Sequence, residues 1–267
     1  MSGRRRPKIG LGIFVFLCFL FFLLPFWSAA RFGFSKPRGG GYTFQSVRDL
    51  IHGPDFGTTL WLSFRLAVGT TVLSLLLVVP TLAWLHLKVS KLLPAAELVS
   101  VLPYVVPAIA LVSGASKAFH SAWPFILIEP IGLIPLYVIV ALPFTYRSID
   151  NGIRAVDLKT LTEASRGLGA SWTKTLTAVI VPNIITSLLG AAFLTMAVVL
   201  GEYTISSLLL HKTFPVYLAL QNQEDPRGAT AMGLMSILAT WMLLGGVSLL
   251  GRRRKGGGGV TVSAFQR

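Results

Sequence analysis

Thr58–Leu87 reads TTLWLSFRLAVGTTVLSLLLVVPTLAWLHL, a run with one basic residue, Arg65, and no acidic residue. A helix that crosses bilayer hydrocarbon needs about 20 mainly apolar residues, and this stretch exceeds that. Five further runs are candidates: Ile9–Trp27, Leu98–Phe119, Trp123–Tyr146, Asn183–Leu209 and Ala229–Leu250. The second and fifth in chain order are long enough to tilt or to protrude. Composition agrees, since 53% of residues are hydrophobic and only 13% charged, about half the charge of an ordinary soluble domain. The expected fold is an all-α membrane protein with six transmembrane helices.

The net charge of +14 first suggests nucleic acid. The basic residues, however, gather at the ends of apolar runs rather than in a stripe interleaved with aromatics, so no nucleic-acid partner is expected. With the N-terminus inside, sixteen Lys and Arg fall on the cytoplasmic side, seven fall outside, and Arg65 makes up the total of 24. The inner set is Arg4, Arg5, Arg6, Lys8, Lys88, Lys91, Arg147, Arg154, Lys159, Arg166, Lys174, Arg252, Arg253, Arg254, Lys255 and Arg267. The outer set is Arg31, Lys36, Arg38, Arg48, Lys117, Lys212 and Arg227. Both termini are therefore expected in the cytoplasm. Cys18, the single cysteine, permits no intrachain disulfide and no Cys-based metal site. Arg4–Arg6 before the first run and Ser28-Ala29-Ala30 after it have the outline of a signal peptide. The run is longer than an h-region of about 7–15 residues, which favours an uncleaved anchor.

This divides the chain into a cytoplasmic tail (1–8), a first transmembrane helix (9–30), an extracytoplasmic linker containing Gly39-Gly40-Gly41 (31–57), a transmembrane domain (58–250) and a second cytoplasmic tail with Gly256–Gly259 (251–267). Pro103, Pro107, Pro130, Pro135 and Pro143 interrupt the third and fourth runs. Such prolines either kink a packed bundle or break helices that line a pathway.

The longest inner loop, 147–182, has a helical pattern of its own. Thr160-Leu161-Thr162-Glu163 fits a capping box, with Thr160 as N-cap and Glu163 reaching back. Leu161, Ala164 and Leu168 share one face. Gly167 and Gly169 end the helix. Ser171 can cap a second helix whose apolar face is Trp172, Leu176, Val179 and Ile180, and Pro182 restarts the chain. A short amphipathic helix bounded by glycine suits docking into a partner's groove. The competing use is to lie on the lipid surface.

The segment Glu163–Pro182, EASRGLGASWTKTLTAVIVP, resembles the EAA loop of binding-protein-dependent ABC importer permeases of the type I fold. Glu163, Ala164, Gly169 and Pro182 match that signature at its spacing. Ser165 stands for its second alanine, Val179 for its isoleucine and Val181 for its leucine. The resemblance covers about 56–250. It implies a coupling helix seated in a cleft of a separate ABC ATPase dimer, with Leu161, Glu163, Ala164, Leu168, Gly169 and Pro182 as coupling residues, Leu161 and Leu168 being its apolar contacts. Glu163 would orient at that interface, and Gly169 would allow the turn that sets the helix angle. It also implies a second permease subunit (a copy or a paralogue), an extracytoplasmic solute-binding protein and a place in the bacterial plasma membrane. LPFTYRSID (142–150) and GEYTISSLLLHKTFPVYL (201–218) look most like the spermidine/putrescine branch, which implies a polyamine as solute.

No phosphate-cradling G-x(4)-G-K-[ST] occurs, so the chain is expected to be no enzyme and to bind no cofactor, with ATP and Mg held by the partner ATPase. His52, His86, His120 and His211 lack metal-ligand spacing, and Ser116 in Gly114-Ala115-Ser116-Lys117 lacks the setting of a nucleophile. Gly201-Glu202-Tyr203 closes the fifth run. Glu202 either borders the outer end of a pathway or bonds a neighbouring helix at the interface. Glu129 reads as interfacial. The alternative of an ion-gradient-driven transporter or channel calls for intramembrane ionisable pairs, and none is visible in the sequence.

Overall fold

The Thr58–Leu87 run forms a single helix, α3 (Phe56–Lys88), uninterrupted through Pro80. At 1.5 Å per residue it is about 50 Å long, well beyond a bilayer's hydrocarbon. The computed structural model describes residues 9–36, 39–121 and 123–255, with backbone alone beyond Met242. The tails 1–8 and 256–267, and Arg38, lie outside the described residues.

The chain divides into two units, one holding Met1–Phe56 with Leu218–Leu243, the other Gly57–Tyr217 with Leu244–Arg267. In the first, α1 (Ile9–Gly33) runs through Pro25 and leaves Phe14, Phe21 and Trp27 exposed. Gly33 packs so closely on Ala231 that an added Cβ would lie 2.7 Å from its backbone nitrogen. The guanidinium of Arg227 covers the Phe32 ring. Gly39, Gly40 and Gly41, all at positive φ, turn the chain between the bridged pair Ser35 and Tyr42. The short helix α2 (Gln45–Ile51) follows and buries Val47 and Leu50.

The second unit corrects the expected third, fourth and fifth spans. The third is no straight crossing but two helices, α4 (Leu93–Val105) and α5 (Ala108–Phe119), bent by 102°. The cause is local. Pro107 has no N–H to continue the ladder and forces Val106 into the extended region, ψ 119. The fourth begins late for the same reason. After α6 (Phe125–Ile128), Glu129 is extended before Pro130, and the continuous helix is α7 (Leu133–Arg154). Helix α7 runs past Tyr146, so residues 147–154 of the expected loop are helical.

The loop itself contains α8 (Leu158–Gly167) and α9 (Trp172–Thr175), then a π turn (Leu176–Ile180) into α10 (Val181–Asn183). Of the expected fifth span, the continuous helix is α11 (Ile185–Leu200), bent 81° from the Trp172–Asn183 segment and ended by Gly201 rather than reaching Leu209. Helix α12 (Thr204–Leu208) is separate. Two helices then continue from unit to unit, α13 (Phe214–Glu224) and α14 (Pro226–Lys255); the expected sixth span lies within α14. Among the described residues, α1 from Gly12, α3 and Pro130–Arg154 are long and apolar enough to cross a membrane, and the two bent pairs raise the number to five.

Two apolar clusters hold the second unit together. One gathers Val78, Leu82 and Leu85 of α3, Ile149 and Ile153 of α7, Leu158 of α8, and Ile180, Ile184 and Leu188. The other lies towards the N-terminal ends of α3 and α7, around Leu66, Val112, Leu133, Tyr137, Val199 and Ile205. Between α7 and α11 the packing is tight at Gly152, where a Cβ would overlap the Ser187 side chain. The Ser148 hydroxyl donates to the Ser187 carbonyl at 2.8 Å. Small residues at such a seam let helix backbones approach, the usual device where lipid gives no hydrophobic drive between helices.

Candidate functional site

The loop helix α8 begins one residue after Asp157, whose carboxylate accepts from the Thr160 amide at 3.2 Å. This corrects the expected capping box. Thr160 is the third residue of the helix, not its cap, and Glu163 does not reach back but lies 3.9 Å from Lys159 on the exposed surface. Helix α7 stops at Arg154, so the chain meets Asp157 before Thr160, and the first competent cap is used. The bonds from Thr160 hold the Asp157 carboxyl below its ordinary range.

The inward face of α8 is Leu158, Leu161, Thr162 and Ser165, each three or four residues from another of the set. Leu158 enters the core. Ser165, the position where the EAA signature has alanine, pairs its hydroxyl with Thr175 at 3.0 Å. Ala164 and Glu163 point out. Leu168 is 90% exposed, so it does not share a buried face with Leu161.

Gly169 ends the helix with φ +82, and nothing stands within 4 Å of where its Cβ would be. The Gly169 amide donates to the Arg166 carbonyl and the Ala170 amide to the Ser165 carbonyl, at 3.0 and 3.2 Å. These are the two bonds of a Schellman motif, which satisfies the last carbonyls of the helix. Gly167 is simply its final residue. Ser171 caps α9 as expected, accepting from the Lys174 amide at 3.3 Å. Trp172, Leu176 and Ile180 then pack into the core. Pro182 enters α10 exposed, and the Asn183 side-chain amide donates to the Val179 carbonyl at 2.8 Å. The loop is thus pinned at both ends of α8 while Leu168 projects from it.

Gly201, Glu202 and Tyr203 lie at the other end of α11, some 24 Å of helix away. Glu202 is half-buried, and its carboxylate accepts from the amides of Ile205 at 2.8 Å and Ser206 at 3.3 Å. It caps α12. Gly201 and Tyr203 are exposed.

Two features escaped the sequence reading. His86, at the end of α3, bonds Asp150 Oδ1 through Nε2 at 2.6 Å, and Arg154 holds Oδ2 through Nε at 2.7 Å. An ionisable cluster therefore does join the helices, though at their C-terminal ends. The only hint in the sequence was that both runs end on the same expected side. The second is an open cleft of about 470 Å³ between α4, α7 and α11, with Tyr104, Phe144, Arg147 and Asn151 on its wall.

No protein-family model matches the chain. Over 181 residues, 66% of its length, it is 28% identical to a curated protein of Sinorhizobium fredii (strain NBRC 101917 / NGR234) named "Probable ABC transporter permease protein y4fN". It spans 29% of that relative. Among solved structures, a chain in the crystal structure of a bacterial ABC transporter involved in the import of the acidic polysaccharide alginate superposes with a TM-score of 0.61. The match covers 93% of this chain and 98% of that one at 15% identity. The fold is that of a chain of an ABC importer, and the sequence is similar to an ABC transporter permease.

Proposed function

We propose that the chain is a permease subunit of an ATP-driven importer of the plasma membrane. It forms, with a second permease subunit, the path of a small solute delivered by an extracytoplasmic binding protein. ATP and Mg belong to a separate ABC ATPase dimer. The observation that carries this reading is α8, a rigidly seated ten-residue helix that offers an exposed leucine beside a left-handed glycine. An ATPase cleft closing on Leu168 would move a body already keyed into the core by Leu158, Trp172 and Ile180. Leu161, Glu163, Ala164, Leu168 and Gly169 form or border the docking surface. Pro182, exposed on α10 ahead of the bend into α11, completes the set of coupling residues. The resemblance and the fold likeness support the same assignment, with six spans and cytoplasmic termini as the topology.

A polyamine is the proposed solute, on the resemblance of 142–150 and 201–218 alone. With its carboxylate capping α12, Glu202 borders the path together with Gly201 and Tyr203, and does not have to bind the solute.

The test is capture of membrane-embedded chain carrying Leu168→Cys, in a Cys18→Ala background, with a photoreactive label at position 168. The expected product is a covalent adduct with a nucleotide-binding ATPase that also co-purifies with the unlabelled chain. Adducts with lipid and no ATPase would assign α8 to the membrane surface instead. The His86–Asp150 pair keeps an ion-driven transporter in view as a second reading. Uptake that collapses with a protonophore while ATP is maintained would favour it.

A further inference from the structure

We infer that His86 and Asp150, with Arg154 holding the carboxylate from its own helix, lock the C-terminal end of α3 to the end of α7 that leads into α8, so that α3 and the entry to α8 move as one body. The inference deepens the permease reading, since it assigns a route for force leaving the docking helix.

Asp150 is 8% exposed; its Oδ1 is held across helices by His86, and its Oδ2 by Arg154, one turn on in its own helix. His86 comes from α3, 64 residues earlier, and Arg154 is the last residue of α7, one turn before the Asp157 cap. Around them Leu82, Leu85, Ile149, Ile153 and Leu158 form continuous apolar packing. The bond from His86 across this packing adds a fixed register, because a displaced α3 would leave the buried Asp150 Oδ1 unpaired in an apolar setting. A further ion pair between helices, Glu97 with Arg147, is 4.0 Å apart and more than half exposed, and is too weak to serve in its place. Helix α3 is the longest in the unit, so a displacement entering at His86 is carried along its whole length to the opposite end.

The experiment uses the full chain in nanodiscs, with Cys18→Ala and spin labels at Lys88→Cys and Arg166→Cys. Pulsed electron resonance reads the width of the distance distribution between α3 and α8. The expected result is a narrow distribution that Mg-ATP with orthovanadate and the co-purifying ATPase leave unchanged. His86→Leu should broaden it about twofold or more and make it respond to nucleotide, and His86→Gln, which still donates an N–H, should restore it. Arg154→Gln, at a half-exposed side chain where folding is safe, should give intermediate broadening. If His86→Leu and Arg154→Gln both stay as narrow as the parent, the link is overturned. The width measurement needs no ATPase. A parent that binds none but is broadened by His86→Leu refutes the permease reading and leaves the link standing.

Discussion

Leu168 separates a docking residue from a structural one. It is 90% exposed, so shortening it to alanine removes almost nothing that the isolated chain uses. The thermal midpoint of Leu168→Ala in nanodiscs should equal that of the parent. If α8 seats in an ATPase cleft, nearly the whole side chain becomes buried there, and a leucine fully withdrawn from water contributes about 1.5–3 kcal/mol. At about 1.4 kcal/mol per decade, the dissociation constant for the ATPase should rise roughly tenfold to a hundredfold. The assay is equilibrium binding of nanodisc-embedded chain to the immobilised ATPase subunit, without nucleotide. An unchanged affinity refutes the docking role. A fallen thermal midpoint refutes the premise that Leu168 has no partner inside the chain. Leu158→Ala is the internal contrast, because it should lower the midpoint by opening the core.

Gly169→Ala should cost about 1–2 kcal/mol, because the residue must stay left-handed and no neighbour crowds it; faster hydrogen exchange at the Ala170 amide would record it, and Gly169→Asn should be milder. Asp157 has a depressed folded-state pKa, so its cap is in place above the ordinary aspartate value of 3.8 and is lost as pH falls through the lower folded value. The Thr160 amide resonance should titrate with a midpoint below 3.8, and a midpoint at or above it would contradict the bond. Gly152→Ala forces a methyl into the Ser187 side chain and should destabilise by about 1–3 kcal/mol, with Ser187→Gly in the same chain recovering most of the loss. Glu202→Ala should speed exchange at the Ile205 amide while Glu202→Gln, which keeps an acceptor, should not.

What the sequence made legible was local. An apolar run such as Thr58–Leu87 has one low-energy answer in lipid, a helix, and α3 is that helix. The loop after α7 was readable in part: the Ser171 cap and the left-handed Gly169 act within a few residues and formed as read, whereas the expected face of Leu161 with Leu168 and the cap at Thr160 did not form. Bends were harder. Pro107 announced a break but not its angle of 102°, which depends on what α5 packs against. Thr160 and Asp157 are both able caps, and the choice between them rests on where α7 stops. The His86–Asp150 contact lies beyond any local pattern, since the two residues meet only after α3 and α7 are set side by side.

The π turn at Leu176–Ile180 is, in effect, one residue more than an α-helix would need between Trp172 and the bend. In an uninterrupted α-helix an extra residue would turn everything after it by about 100°, but the wider π turn absorbs the surplus. Ile180 therefore still faces the core, and the loop carries one residue more without changing which side chains it buries.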